Sequence, residues 1–90
     1  MDTKILRESL TRAYEALAPF SAKYRVDFKR YLFSLEILTS LPNARELRFV
    51  DVGTGIGILP LALRKLGFNA TGIDYFIFPE QKDEDFGVAD

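Results

Sequence analysis

Leu6, Leu10, Ala13, Tyr14 and Leu17 recur at intervals of three and four residues, the spacing that gathers side chains on one face of a helix. Arg7, Glu8, Arg12 and Glu15 fall largely on the other side, as a solvated face requires. This helix is expected to stop at Pro19, which lacks an amide proton and whose ring clashes with the preceding turn. A second helix is expected to begin near Arg25, with Phe28, Tyr31, Leu32, Leu35 and Leu38 as its apolar stripe, and to end at Pro42-Asn43. Both stripes read first as packing faces.

The period then changes. Leu47-Arg48-Phe49-Val50-Asp51-Val52 is short, rich in β-branched and aromatic residues, and runs into glycines, which predicts a buried parallel strand. Ile58 to Leu66 returns to a helical pattern, with Pro60 suited to the first turn and Gly67 placed for a left-handed C-terminal cap. Asn69 to Asp74 reads as a second strand. Strand, glycine turn, helix and strand make a βαβ unit, whose crossover is expected to be right-handed. Beyond it Tyr75 to Phe78 is apolar, Pro79 marks a turn, and the charged run to Asp85 predicts a solvated loop or a helix start. Phe86 to Asp90 leaves room for a third strand.

Composition narrows the function classes. Ninety residues suit one small domain, and 48% apolar with 28% charged residues is a globular profile. Twelve basic residues nearly cancel thirteen acidic ones, which argues against a dedicated nucleic-acid binder. The absence of cysteine excludes disulfides and thiolate metal sites. The absence of histidine removes the usual proton shuttle and the commonest metal ligand, so no metal is expected and any general base must be a carboxylate, lysine or tyrosine. No apolar run at the N-terminus is long enough for a signal peptide or a membrane helix, and a soluble cytoplasmic protein is the expectation.

The chemistry concentrates in Asp51-Val52-Gly53-Thr54-Gly55-Ile56-Gly57. Glycines between a strand and a helix let a ligand approach the backbone, because no Cβ intervenes. A triphosphate-cradling loop would need Gly-Lys-Ser/Thr, and none follows Gly57. A dinucleotide fingerprint needs G-x-G-x-x-G/A. Counted from Gly53 its third position falls on Ile58, and counted from Gly55 on Pro60. Neither frame fits.

The spacing that does occur resembles the first motif of the class I S-adenosylmethionine-dependent methyltransferases: an acidic residue, one spacer, then three alternating glycines at the end of the first strand. Asp74, closing the second strand after Gly72-Ile73, strengthens the likeness. The resemblance covers roughly residues 25–78. It implies an α/β chain with an N-terminal helical segment over 1–44 and a partial, truncated Rossmann-like parallel sheet over 45–90. It also implies that Asp51, Gly53, Thr54, Gly55 and Gly57 bind S-adenosylmethionine, that Asp74 takes the two ribose hydroxyls, and that Tyr75 lies against the adenine. In many relatives the N-terminal segment covers the cofactor; here it holds Tyr14 and Tyr24, for which core packing is the first reading and cofactor contact the second. Asp90 stands where an adenine-side acid would follow a third strand, although the gap from Asp74 is short.

The physical logic agrees. A carboxylate accepts two hydroxyls side by side, and an acidic lining suits a cofactor bearing a sulfonium and an ammonium, where a pyrophosphate would need the opposite. Each acid also has a plainer reading: Asp51 as favourable charge near a helix N-terminus, Asp74 as a turn-starting aspartate. The family's fourth strand and loop, which carry its substrate-facing and catalytic positions, have no counterpart here, so no catalytic residue is assigned and the methyl acceptor is not specified. The family places its first strand centrally, and ending at Asp90 would leave one flank of that strand unpaired, a template for further pairing. The expectation is a fragment of a longer enzyme, or self-association through the uncovered edge. The alternative is a non-catalytic structural or interaction module with a methyltransferase-like βαβ core.

Overall fold

The computed structural model describes residues 1–74 and the backbone of residues 86–88. The expected positions Tyr75 and Asp90 lie outside the described residues. Helix α1 spans Thr3–Ala16, and the Asp2 side chain caps it by accepting from the Lys4 amide at 2.8 Å. A 3₁₀ run, Phe20–Asp27, leads into α2, Phe28–Thr39. The second helix therefore starts three residues later than its spacing predicts. Residues 20–27 make tighter turns, and the only side chain buried in that run is Ser21, so no apolar face holds it in α-helical register.

Strand β1, Arg48–Val52, is followed by the glycine turn, α3, Ile58–Lys65, and β2, Asn69–Asp74. A third strand, β3, covers Phe86–Val88. All pairings are parallel and the order is β1-β2-β3. Among the described residues β1 is thus an edge strand. The end of α3 satisfies its last carbonyls through paired bonds, Gly67 N–H to Arg64 O at 3.0 Å and Phe68 N–H to Leu63 O at 3.0 Å. No helix among the described residues is long and apolar enough to cross a membrane.

One core joins the helical segment to the βαβ unit. Leu6, Leu10 and Ala13 of α1 and Leu32 and Leu35 of α2 are buried with Ile56, Ile58, Ala62 and Leu63. The buried Ser9 hydroxyl donates to the Ala62 carbonyl at 2.7 Å and ties α1 to α3. Among the described residues, β1 and β2 meet this core through one face. Phe49 and Ala70, opposite each other in register, pack into it. The alternate residues Val50 and Val52 point the other way and are 47% and 79% exposed. The expectation that β1 is buried is corrected: the core covers the Phe49 side of the strand and leaves the Val50 side open.

Candidate functional site

The C-terminal ends of β1 and β2 lie side by side, with Asp51 opposite Gly72 and Val52 opposite Ile73. The turn that leaves β1 must reverse direction at once to start α3. Gly53, Gly55 and Gly57 do this with φ of +74°, +63° and +87°, a region closed to most side chains. The alternating glycines are a backbone requirement before they are anything else.

Three consecutive residues of the turn are tied to β2, and a fourth bond closes the turn on itself. Gly53 and Thr54 donate their amides to the Ile73 carbonyl at 2.7 and 3.2 Å, and Gly57 donates to the Thr54 carbonyl at 3.1 Å. Gly55 donates to Asp74 Oδ2 at 2.7 Å. Asp74, singled out in the sequence as a second acid, is therefore in direct contact with the glycine motif. The same bonds carry a chemical consequence. These four amides are already donated within the chain, so these four are not open to cradle a phosphate. No described residue fills the space above Gly53, where a Cβ would meet nothing within 4 Å.

Asp51 is half-buried, and burial is the main reason its carboxyl titrates above the ordinary aspartate value of 3.8. The Thr54 hydroxyl and the Arg30 guanidinium pull it back down, while Asp74 pushes it up. Two carboxylates thus share one small region, with a single guanidinium acting on Asp51. Arg30 is in turn paired with Asp27 at 3.2 Å. Because the folded-state value of Asp51 exceeds the unfolded one, the fold binds more protons in that window, and stability falls as pH rises through it. Asp51→Asn is expected to be more stable than the parent at about pH 7, with the advantage vanishing by about pH 3; urea melts at both values check this, and a variant weaker at neutral pH would refute it.

Thr54 is turned inward. Its side chain is 6% exposed and fills the space beside Gly72, where a Cβ would stand 2.5 Å from Thr54 Cγ2. Its Oγ1 is buried and meets no partner in hydrogen-bonding geometry among the described residues, although it favours ionised Asp51 from nearby. An unsatisfied buried hydroxyl costs about 1–3 kcal/mol. Thr54→Val keeps the shape and removes that group, so a rise of a few degrees in Tm is expected; a lower Tm would mean that the hydroxyl is bonded after all.

Two tyrosines of the helical segment part company. Tyr14 is a core residue: its hydroxyl donates to the Tyr24 carbonyl at 2.6 Å, its ring packs 5.6 Å from Phe28, and burial pushes its phenol up to about 12. Tyr24 instead reaches the glycine turn, with its hydroxyl 3.4 Å from the position of a Cβ on Gly55. Tyr31 is half-buried nearby; burial raises its pKa first, with Asp27, Asp51 and Tyr24 adding to the shift and Arg30 opposing it. Arg30 and Tyr31 carry no spacing signal that separates them from packing residues. Gly72 does carry one, since an isolated glycine inside a strand marks a close approach.

A cavity of about 690 Å³ lies elsewhere, between α1 and the 3₁₀ run, lined by Tyr14, Pro19, Ser21, Ala22, Arg25 and Phe28 among others. Size alone would favour it as a site, but its buried polar groups are spent: the Tyr14 and Ser21 hydroxyls both donate to backbone carbonyls at 2.6 Å. The convergent acids are at the glycine turn. In comparisons with protein-family models, curated proteins and solved structures, nothing matches this chain.

Proposed function

We propose that this chain is the S-adenosylmethionine-binding part of a methyltransferase, with Asp51, the turn Gly53–Gly57 and Asp74 as its cofactor site. The observation that carries the reading is the 2.7 Å bond from the Gly55 amide to Asp74 Oδ2. It joins the two sequence features on which the resemblance rests into one site. The residues suit the cofactor's chemistry. Two carboxylates favour a ligand with hydroxyls and positive charge over a phosphate, four of the turn's amides are already donated within the chain, and no described residue fills the space over Gly53.

When bound, the cofactor would supply an electrophilic methyl group on sulfur, which passes to an acceptor by in-line displacement. The chain's own part is to hold and orient it, the contribution that proximity and alignment make to such reactions. Asp74 would accept the ribose hydroxyls, and Asp51 would place negative charge beside the cationic end. Calorimetric titration with S-adenosylmethionine tests the reading directly: the parent chain is expected to bind and an Asp74 variant to bind far less. A folded parent that releases no binding heat would sink it.

A second reading, an interaction module, is favoured by one feature. Val50 and Val52 leave an apolar strip on the outer face of β1, which is an edge strand among the described residues. Such an edge pairs readily with another strand, and self-association through it is compatible with both readings.

A further inference from the structure

Strand β1 pairs with β2 along one flank, and no described strand pairs with the other. The Gly53 amide donates to the Ile73 carbonyl at 2.7 Å. Backbone groups alternate in direction along a strand, so those of Asp51 and Phe49 turn toward β2 as well. Arg48, Val50 and Val52 then present their N–H and C=O groups to the open flank. Few of the devices that blunt a free edge are present: β1 has no proline, no lysine and no bulge. Exposed apolar surface gathers beside it. Of the ten large apolar side chains exposed among the described residues, Phe33, Ile37, Leu41, Leu47, Val50 and Val52 lie on α2, on β1 or on the link between them. Helix α2 runs beside the strand, since Leu38 borders one cleft with Phe49 and Val50.

We infer that β1 is a dimerisation edge, on which β1 of a second copy pairs antiparallel about a two-fold axis at Val50. The contact is independent of what the glycine turn binds. Its register follows from the strand's own residues. Centred on Val50, that residue faces itself, and Arg48 faces Val52 of the partner subunit. Each such pair exchanges both backbone bonds, so all three residues with open groups are satisfied. A centre at Phe49 leaves Val52 with no opposite residue in β1, and a centre at Asp51 sets two carboxylates against each other. In the Val50 register Asp51 lies across from Phe49 of the partner subunit, and no like charges meet. On the outer face Val50 and Val52 of both copies form one apolar strip, crossed at its ends by the Arg48 stems. A two-fold contact of this kind closes at two copies. It also joins two small sheets, each with one strand of three residues, into one of about six strands, an ordinary size.

The chain has no cysteine, so a single introduced thiol reads the register. Opposite Cα atoms in a pair with exchanged bonds stand about 5.5 Å apart, within disulfide reach. Val50→Cys is therefore expected to cross-link into dimers on mild oxidation. Val52→Cys, about 14 Å from its mate, is expected not to. Exposure alone predicts the opposite order, since Val52 is 79% exposed and Val50 47%. Analytical ultracentrifugation of the full chain should show a concentration-dependent monomer–dimer equilibrium, as a small interface gives. Val50→Lys sets two ammonium groups face to face and should raise the dissociation constant about tenfold. Its Tm, read in dilute solution where the parent is monomeric, should stay at the parent's value. A parent that sediments as a monomer at every concentration overturns the inference, and no variant is involved in that result. A Val52→Cys protein that cross-links as fast as Val50→Cys overturns it equally.

Discussion

Asp74→Asn is expected to bind S-adenosylmethionine about tenfold to a hundredfold more weakly than the parent, with little change in Tm. One carboxylate has two jobs here. Asp74 Oδ2 accepts from the Gly55 amide at 2.7 Å and so holds the turn against β2. An asparagine carbonyl can keep that bond. What it surrenders is the negative charge and an acceptor, the properties a carboxylate uses to take two hydroxyls side by side. Charge-assisted bonds of this sort contribute about 1.5–3 kcal/mol, which sets the expected loss. Asp74→Ala removes both jobs. It leaves the Gly55 amide without this acceptor, so it should lower Tm as well as affinity. Titration calorimetry and thermal melts on the three proteins resolve the roles. If Asp74→Asn binds as tightly as the parent, the carboxylate is structural and the ribose assignment fails.

Gly72→Ala should cost about 1–3 kcal/mol of stability, the usual range for forcing atoms into a packed interior. The strain is one of space. The added Cβ would stand 2.5 Å from Thr54 Cγ2 and 2.7 Å from both Thr54 Cβ and Oγ1. Rotation about χ1 moves Cγ2 and Oγ1 away but leaves Cβ where the backbone puts it. The glycine turn must then retreat from β2. Gly72 sits opposite Asp51 in register and two residues before Asp74, so that retreat disturbs both acids, and ligand affinity should fall with stability. Thr54→Gly in the Gly72→Ala background removes the clash and should recover part of the Tm. A Gly72→Ala protein as stable as the parent would show that the approach of Thr54 is not tight.

Much of this arrangement is legible from local pattern. The stripes of α1 and α2 predict the buried Leu6, Leu10, Leu32 and Leu35, because helical period and core burial are the same fact seen in one and three dimensions. The change of period at Leu47 predicts β1, and Gly67 predicts the cap of α3. The start of α2 is less legible, since the residues before Phe28 have no apolar face to hold an α-helical register. Burial of β1 is misjudged for a related reason. Apolar residues at consecutive positions say that a strand tolerates burial on two faces, while only the assembled layers decide that one face is covered.

The candidate site divides the same way. Asp51, the three glycines and Asp74 are visible as residue types at set spacings, since a backbone that reverses through three positive-φ positions so close together favours glycine at each. Those requirements act within a few residues of chain, and sequence alone determines them. Three relations are set only by tertiary contact: the bond between Gly55 and Asp74, the wedge of Thr54 against Gly72, and the reach of Tyr24 across to Gly55. Each joins residues that no periodicity links. Their positions follow from how α1 and the 3₁₀ run are pinned through Tyr14, and from the parallel register of β1 on β2. The sequence names the acids and the turn; packing decides which of them meet.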